Sequence, residues 1–281
     1  MSKKIKLGIC QLAVVEDKLA NIKKAEEMVG KAALDGCQLA VLPEMFNCPY
    51  QSELFPLFAE TWPEGNTMQS LSKLAAREKI ILVGGSIPER GSDGRIYNTS
   101  FIFDQSGRLL GRHRKVHLFD VDIKGGTVFR ESDTLTAGSE ITVVGALDIT
   151  MGIGVCYDIR FVEISRAMVL TGAKVLIFPA AFGPVTGPAH WELLIRSRAL
   201  DNQAFVVGAA PARTPGAEYQ AYGHSMVVDP WGRVLICTGD QETVLTVEID
   251  LDVIDKVREE LPILRHRRSD VYQRRLLRNA D

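Results

Sequence analysis

The sequence lacks the patterns that bind metals or build disulfide frameworks. Its five cysteines are an odd number, are widely scattered and include no C-x-x-C pair. This distribution is typical of reduced thiols in a cytosol. The five histidines show neither paired spacing nor an H-E-x-x-H arrangement. We therefore expect no metal site.

Long apolar runs and basic tracts are also missing. No apolar run is long enough to span a bilayer, and no charged start leads into an apolar stretch with a small-residue cleavage site. The formal net charge is −2, and no basic tract precedes the C-terminal segment. These features argue against a nucleic-acid or anionic-membrane partner. We expect a soluble, cytoplasmic protein that acts on a small molecule.

Nothing in the composition divides the chain. The 281 residues contain no Gly/Ser/Pro-rich linker, internal repeat or low-complexity segment, and 46% of them are hydrophobic. Such a chain can bury a large core. We predict one domain over residues 1–262 and a C-terminal tail over residues 263–281, which packs on the domain or on a second subunit. The arginines of the tail indicate a solvated surface or an intersubunit contact rather than nucleic-acid binding.

Strand and helix patterns alternate along the chain. After a strand-like run, IKLGICQLAV, the apolar residues Leu19, Ile22 and Ala25 recur at helical spacing. Further strands are predicted in CQLAVLPE, IILVGGSI and AKVLIFPAAF, with helices between them. YNTSFIFDQSGRLLGRHRKVHL and GHSMVVDPWGRVLI predict antiparallel hairpins. The pattern indicates an α/β protein with mixed sheets.

Cys156 stands where the apolar run of GIGVCYDIR gives way to charged residues. A thiol between a strand end and a helix start is lifted out of the core. The following backbone N–H groups then point at it, and they can favour a thiolate and bind an oxyanion. Taken alone, Cys156 is better interpreted as a small buried apolar side chain, because free cysteines usually occupy such positions.

Two other predicted strand ends carry charged residues. Glu44 follows Pro43 in LAVLPEMFNCPY, either as a surface capping group or as a partly desolvated acid with a raised pKa. Lys115 ends a strand in GRHRKVHLFD, where alone it would be solvated. Strand ends of an α/β fold open onto a common crevice, so both groups can converge on Cys156. Glu44 would then act as a base, and Lys115 would stabilise the thiolate and the oxyanion.

The chain resembles the nitrilase, or carbon–nitrogen hydrolase, superfamily over nearly all of its length. LAVLPEMF matches the block of the family's catalytic glutamate, RKVHLFD that of the catalytic lysine, and GIGVCYDIRFVEI that of the nucleophile. The resemblance implies that Glu44, Lys115 and Cys156 are the catalytic residues. It also implies that Glu131, in FRESDTLTAG, is the family's second glutamate, which helps to orient the lysine and the substrate.

Within this superfamily the sequence is most similar to the omega-amidases. The similarity lies in KVHLFDVDI, FRESDTLTAG, GPAHWELLIRSRALDNQ, GHSMVVDPWG and RHRRSDVY. It implies an αββα sandwich of two mixed sheets flanked by helices, and a homodimer or higher homo-oligomer. The implied reaction hydrolyses the terminal amide of 2-oxo acid amides, such as 2-oxoglutaramate and 2-oxosuccinamate, to a dicarboxylate and ammonia. It proceeds through a cysteine thioester and needs no cofactor.

Three further residues are candidates for substrate binding in this implied reaction. The backbone N–H of Tyr157 is expected to help hold the oxyanion. Arg160 offers a bidentate fork for a substrate carboxylate, or else forms an ion pair with Asp158 or Glu163. Tyr50 could donate its phenol O–H to the same carboxylate, or else simply pack in the wall of the site.

Several rival interpretations remain open. His190 could pair with Cys156 as in a cysteine peptidase, but Trp191, Leu194 and Ile195 follow at helical spacing and indicate a core or interface helix with His190 in its first turn. GIGVC lacks the third glycine of a dinucleotide fingerprint. The other candidates are an N-carbamoyl amino acid amidohydrolase, a nitrilase, and a catalytically silent binding subunit.

Overall fold

A computed structural model describes residues 3–124 and 128–276. Within them lie fifteen strands: β1 (Lys4–Gln11), β2 (Leu39–Val41), β3 (Ile81–Val83), β4 (Ile87–Arg90), β5 (Ile96–Phe103), β6 (Leu109–Arg114), β7 (Asp120–Asp122), β8 (Val128–Arg130), β9 (Thr142–Ala146), β10 (Ile149–Ile153), β11 (Val175–Pro179), β12 (Phe205–Ala209), β13 (Met226–Val228), β14 (Val234–Cys237) and β15 (Thr243–Asp250). The same residues form seven α-helices: α1 (Lys18–Leu34), α2 (Phe55–Phe58), α3 (Asn66–Glu78), α4 (Val162–Leu170), α5 (Thr186–Asn202), α6 (Asp252–Glu260) and α7 (Ser269–Leu276). Two short 3-10 helices span Glu131–Asp133 and Cys156–Arg160.

The strands form two large sheets and a small ribbon. One sheet has seven strands in the order β15-β1-β2-β3-β5-β4, with β6 also paired to β5. The other has six strands in the order β14-β13-β12-β11-β10-β9, and β7 pairs only with β8. The strands β1, β2 and β3 are parallel, as are β10, β11 and β12, while the flanking pairs are antiparallel. Both sheets are therefore mixed, as predicted.

Alternation of side chains along the strands builds four layers. In β2, Leu39 and Val41 enter the apolar layer between the two sheets, whereas Ala40 packs with residues of α1 and α3. In β11, Ile177 enters the same central layer, whereas Leu176 packs with residues of α4 and α5. Each sheet thus contacts the other sheet on one face and helices on the opposite face. This confirms the predicted αββα sandwich.

Most predicted elements are present, and the differences have local causes. The two predicted hairpins are β5–β6 and β13–β14. The β9–β10 hairpin was not predicted, because its turn uses Leu147 and Asp148 at φ +48° and +61° without the usual glycine or asparagine. Helix α5 begins at Thr186, so His190 lies in its second turn rather than its first.

The tail is described only in part. Leu264 packs against the cluster that contains the inner faces of α4 and α5, and α7 ends the described chain. Residues 277–281 of the predicted tail lie outside the described residues. The division at residue 262 stays a prediction. No helix in the described ranges is both long enough and apolar enough to cross a bilayer.

Gly85 packs closely against the turn that carries Glu44. Gly85 has φ +58°, and a Cβ atom there would overlap the carbonyl oxygen of Pro43. We expect Gly85→Ala to lower the free energy of unfolding by more than about 2 kcal/mol, because steric overlap adds to the left-handed strain of about 1–2 kcal/mol. Chemical denaturation measures the loss.

Gly36→Ala is the matched control. Gly36 has φ +81°, but a Cβ atom there meets nothing within 4 Å. This variant should lose only the backbone contribution. Equal losses in the two variants would contradict a steric role for Gly85.

Candidate active site

Glu44 is a buried carboxylate just beyond the carboxyl end of β2. The segment Leu39–Val41 is wholly buried, and the chain leaves the sheet through Pro43. Glu44 is 1% exposed, and its Oε1 atom accepts hydrogen bonds from Lys115 Nζ at 2.9 Å and Asn98 Nδ2 at 2.8 Å. Its Oε2 atom has no hydrogen-bond partner among the described residues. One carboxylate oxygen is thus fixed, and the other is available to a reactant.

Lys115 lies between two carboxylates. It follows β6, is 1% exposed, and donates from Nζ to Glu44 Oε1 at 2.9 Å and to Glu131 Oε1 at 2.8 Å. Burial opposes the charge of Lys115, but Glu131 and Glu44 outweigh it and raise the pKa of the ammonium well above its ordinary value. The side chain is therefore a permanent cation in the site.

Glu131 holds the lysine from the other side. It begins the 3-10 helix Glu131–Asp133 and is completely buried. Besides Lys115, its Oε1 atom accepts the Tyr50 hydroxyl hydrogen at 2.8 Å, while Oε2 accepts the backbone N–H of Phe119 at 2.7 Å. With its hydrogen-bonding capacity used by protein donors, Glu131 orients Lys115.

Cys156 completes the constellation from the other sheet. It follows β10, begins the 3-10 helix Cys156–Arg160, and has φ +44°, a left-handed conformation that is uncommon outside glycine. Burial raises the pKa of the Cys156 thiol well above 9.0. Glu44 raises it further, and Lys115 and a hydrogen bond from the Ala181 backbone act in the opposite direction.

The pKa of Glu44, the acid beside the thiol, is also raised. Burial raises the pKa of Glu44, Lys115 lowers it, and Glu131 raises it again, with a net increase above 4.5. A thiol and a carboxyl group that both hold protons more tightly than usual can exchange one proton between them. The arrangement supports a cysteine nucleophile with Glu44 as its base.

The structure places the three candidate binding residues differently. Tyr157 follows the nucleophile, and its ring contacts Phe119 edge-on at 5.1 Å between centroids. Tyr50 is also at the site, but its single hydroxyl hydrogen is donated to Glu131. The geometry therefore does not provide the donation from Tyr50 to a substrate carboxylate that the sequence suggested. It supports wall packing and orientation of Glu131 instead.

Arg160 lies at the mouth of the site and does not form the alternative ion pair. Its Nη1 atom is 3.2 Å from His190 Nδ1, and its guanidinium lies 5.0 Å from the Phe182 ring centroid. Within the described residues it forms no salt bridge with Asp158 or Glu163. The exposed His190 contacts Arg160 and makes no hydrogen bond with Cys156 in the described structure, which argues against a Cys–His pair.

Two cavities meet at the candidate catalytic residues. One is lined by Cys156 and Arg160, together with Phe119, Tyr157, Ala181, Phe182, Gly183, Thr186 and Tyr219. The other reaches Glu44 and Tyr50. Both share Ala181 and Tyr219, whose hydroxyl donates to the Ala181 carbonyl. Tyr219 therefore lies between the two cavities.

Sequence reasoning missed two of these residues. Asn98, which donates to Glu44, is a buried polar residue inside the otherwise apolar strand β5, and that contrast was a usable signal. Tyr219 lies in an irregular loop with no periodicity, and no pattern singled it out. Burial raises the pKa of Tyr219 well above 10.0, and the charges of Cys156 and Glu44 raise it further.

No group of three His, Cys, Asp or Glu side chains in the described ranges has an arrangement that could hold a metal ion. The charged residues of the site pair with one another: the Lys115 ammonium contacts both carboxylates, in the position that a bound cation would otherwise take. The chemistry of this donor set is that of proton transfer and nucleophilic attack.

The raised pKa of the thiol has a measurable consequence. We expect alkylation of Cys156 by iodoacetamide to increase about tenfold per pH unit from pH 7 to 9, because only the thiolate reacts and its fraction rises tenfold per unit below the pKa. Peptide-resolved mass spectrometry follows Cys156 separately from the exposed Cys237. A free thiol in solution, the control, should level off near its pKa of about 8.5. A plateau for Cys156 below pH 8 would contradict the raised pKa.

Comparisons with known proteins agree with this geometry. Residues 6–259 match the family described as Carbon-nitrogen hydrolase. The chain is 45% identical to "Omega-amidase NIT2" of Xenopus tropicalis, over 96% of this chain and 97% of that protein, and 46% identical to "Omega-amidase, chloroplastic" of Arabidopsis thaliana, over 96% and 74%. The crystal structure of Saccharomyces cerevisiae Nit3, a member of branch 10 of the nitrilase superfamily, superposes with a TM-score of 0.86 at 42% identity, covering 92% of this chain and 94% of that one. The chain belongs to the carbon–nitrogen hydrolase family, in the omega-amidase branch of the nitrilase superfamily.

Proposed function

We propose that the protein is an omega-amidase that hydrolyses the terminal amide of small 2-oxo acid amides, with 2-oxoglutaramate and 2-oxosuccinamate as the expected substrates. The observation that carries this proposal is the buried Glu44–Lys115–Glu131 network beside the Cys156 thiol. The similarity of the chain to omega-amidases over nearly its whole length favours this branch over N-carbamoyl amino acid amidohydrolases and nitrilases.

The first half of the reaction forms a thioester. Cys156 Sγ attacks the amide carbon while its proton passes to Glu44, whose Oε2 atom is free to accept it. The oxygen of the tetrahedral intermediate becomes negative and is stabilised by Lys115 and the backbone N–H of Tyr157. When the C–N bond breaks, Glu44 returns the proton to the leaving nitrogen, and ammonia departs.

The second half of the reaction releases the acid. A water molecule attacks the thioester carbon as Glu44 takes one of its protons, and Lys115 again faces the negative oxygen. Breaking of the C–S bond returns that proton to sulfur. The net reaction adds one water to the amide and yields a carboxylic acid and ammonia, which ionise in water to the carboxylate and ammonium. Glu131 takes no proton in this scheme, because its acceptors hold Lys115, Tyr50 and Phe119 in place.

Arg160 is proposed to bind the carboxylate at the other end of the substrate. It lines the cavity that contains Cys156, and it forms no ion pair with a described carboxylate. The rings of Phe182 and Tyr157 lie 5.0 and 5.7 Å from the guanidinium carbon and support it from the protein side. A guanidinium held in this way offers two parallel N–H donors to an incoming carboxylate.

A single assay series tests the function. Ammonia release is measured with 2-oxoglutaramate, 2-oxosuccinamate, N-carbamoyl amino acids and simple nitriles, and cleavage of a peptide is followed separately by mass spectrometry. We expect the 2-oxo acid amides to be the best substrates, with free 2-oxo dicarboxylate as the second product. The variant Cys156→Ala should release no ammonia, and Cys237→Ala should retain activity, because the exposed Cys237 lines neither of the two cavities at the site.

The other outcomes identify the rivals. Carbon dioxide released together with ammonia would indicate an N-carbamoyl amidohydrolase, and activity only on nitriles would indicate a nitrilase. Cleavage of internal peptide bonds dependent on His190 would indicate a cysteine peptidase. A reactive thiol with no activity on any amide would favour a binding subunit.

Replacement of Arg160 should separate charged from neutral substrates. We expect Arg160→Met to raise KM for a 2-oxo acid amide by at least about tenfold, the value of one charge-assisted hydrogen bond, with a much smaller effect on a neutral amide. Arg95→Met is the control, because Arg95 is exposed and lies outside both catalytic cavities. Equal effects of Arg160→Met on both substrate types would remove its proposed role.

We also propose that the protein is a cytoplasmic homodimer or higher homo-oligomer. Apolar side chains are exposed on the outer helical layer, including Val162 and Leu170 of α4 and Leu193 and Leu200 of α5. A second copy would cover such a surface. Analytical ultracentrifugation measures the oligomeric state, and a monomer at micromolar concentration would overturn the proposed oligomer.

A further inference from the structure

A buried aspartate lies between the segments that carry the lysine and the nucleophile. Asp158 is completely buried, and each of its two oxygens accepts two hydrogen bonds. Oδ1 accepts the backbone N–H of His117 at 3.0 Å and the Nδ1–H of the same residue at 2.7 Å. Oδ2 accepts the backbone N–H of Val155 at 2.9 Å and the Nε2–H of His113 at 3.0 Å. Both carboxylate oxygens of Asp158 thus accept hydrogen bonds from the protein.

The donors belong to two different parts of the fold. His113 and His117 flank Lys115 by two residues on either side, at the end of β6 in the seven-stranded sheet. Val155 directly precedes Cys156, beyond the end of β10 in the six-stranded sheet. Asp158 therefore joins the lysine segment to the nucleophile segment across the boundary between the sheets.

Backbone hydrogen bonds anchor each segment in its own sheet. The backbone N–H of Lys115 donates to the Asn98 carbonyl at 2.8 Å, and that of Gly154 donates to the Ile177 carbonyl at 3.0 Å. The central layer between the sheets is apolar, and apolar burial is non-directional. A hydrogen bond from Thr142 Oγ1 of β9 to the Arg112 carbonyl of β6, at 3.1 Å, also joins the sheets, but it does not involve the nucleophile segment. Asp158 adds directional contacts between the residues that flank Lys115 and the residue that directly precedes Cys156.

Both histidines are themselves fixed. The His117 ring stacks on Phe161 with 3.6 Å between centroids, and His113 Nδ1 lies 3.1 Å from Thr142 Oγ1. Burial raises the pKa of Asp158, but the hydrogen bonds from His113 and His117 outweigh burial and hold its pKa well below the usual range. The carboxylate stays ionised, so the bonds it accepts are charge-assisted and short.

We propose that Asp158 is a positioning residue that, through His113 and His117, sets the distance and orientation between Lys115 and Cys156. It contacts neither the thiol nor the ammonium in the described hydrogen-bond network, and it takes no part in proton transfer. Reacting groups must be held closely, since a displacement of 1 Å can cost about 10²-fold in rate. The proposal rests on the proposed cysteine mechanism but not on the identity of the substrate.

A matched pair at His117 tests the proposal without removing the buried charge. His117→Phe keeps a ring to stack on Phe161 but loses the side-chain donor to Asp158. His117→Asn loses the ring but keeps a donor in the position of Nδ1. We expect kcat to fall about tenfold or more in His117→Phe with KM changed by less than about threefold, and His117→Asn to recover most of the loss.

Two further variants complete the experiment. Asp158→Asn replaces two of the four acceptor positions with donors and should lower kcat about 10²-fold. Asp229→Asn is its control, because Asp229 accepts the backbone N–H groups of Trp231 and Arg233 in a turn far along the chain from the site. Asp229→Asn should leave kcat per folded molecule unchanged, because the amide Oδ1 can still accept both N–H groups and the lost charge lies away from the site.

The iodoacetamide rate of Cys156 is measured in every variant as a second readout. If wild type hydrolyses none of the amides, the proposed function fails, but the alkylation rates still compare the position of the thiol relative to Lys115. A normal kcat and a normal alkylation rate in His117→Phe would overturn the positioning role. So would losses that follow the melting temperature alone, with no recovery in His117→Asn.

Discussion

The site depends on one buried cation held between two buried carboxylates. Lys115 pairs with Glu44 and Glu131 at 2.9 and 2.8 Å, and all three side chains are excluded from solvent. Such burial is costly unless every charge is paired and hydrogen-bonded. A further negative charge on the neighbouring sulfur would worsen the balance, so the thiol keeps its proton until an acceptor takes it. The same burial that raises the pKa of Cys156 also raises that of Glu44.

The hydrogen-bond partners of the two glutamates explain why their functions differ. Both oxygens of Glu131 accept hydrogen bonds, from Lys115, Tyr50 and a backbone N–H, whereas Oε2 of Glu44 accepts none from the described residues. Two glutamates that contact the same ammonium therefore differ in function because of their other partners. One is a fixed support for the cation, and the other has an oxygen on which a proton can be placed and from which it can be withdrawn.

The charged residues and the thiol of the site follow the ends of strands that lie in two different sheets. Glu44 and Lys115 extend from the seven-stranded sheet, and Cys156 extends from the six-stranded sheet in a left-handed conformation. Apolar side chains hold the sheets together, and Asp158 adds directional contacts where the two segments meet. At the mouth, Arg160 remains accessible to a ligand. The buried charged groups thus lie at the inner end of the site, and Arg160 lies at its opening.

The sequence by itself determined the alternation of elements, the mixed sheets and, through three family blocks, the positions Glu44, Lys115 and Cys156 as candidates. These features are local: periodicity and motif are written in consecutive residues. Only the tertiary structure decided that the Tyr50 hydrogen goes to Glu131, that Asp158 pairs with His113 and His117 rather than with Arg160, and that Tyr219 lies between two cavities. Hydrogen-bond partners far apart in the chain depend on how the two sheets pack, and no local pattern encodes that choice.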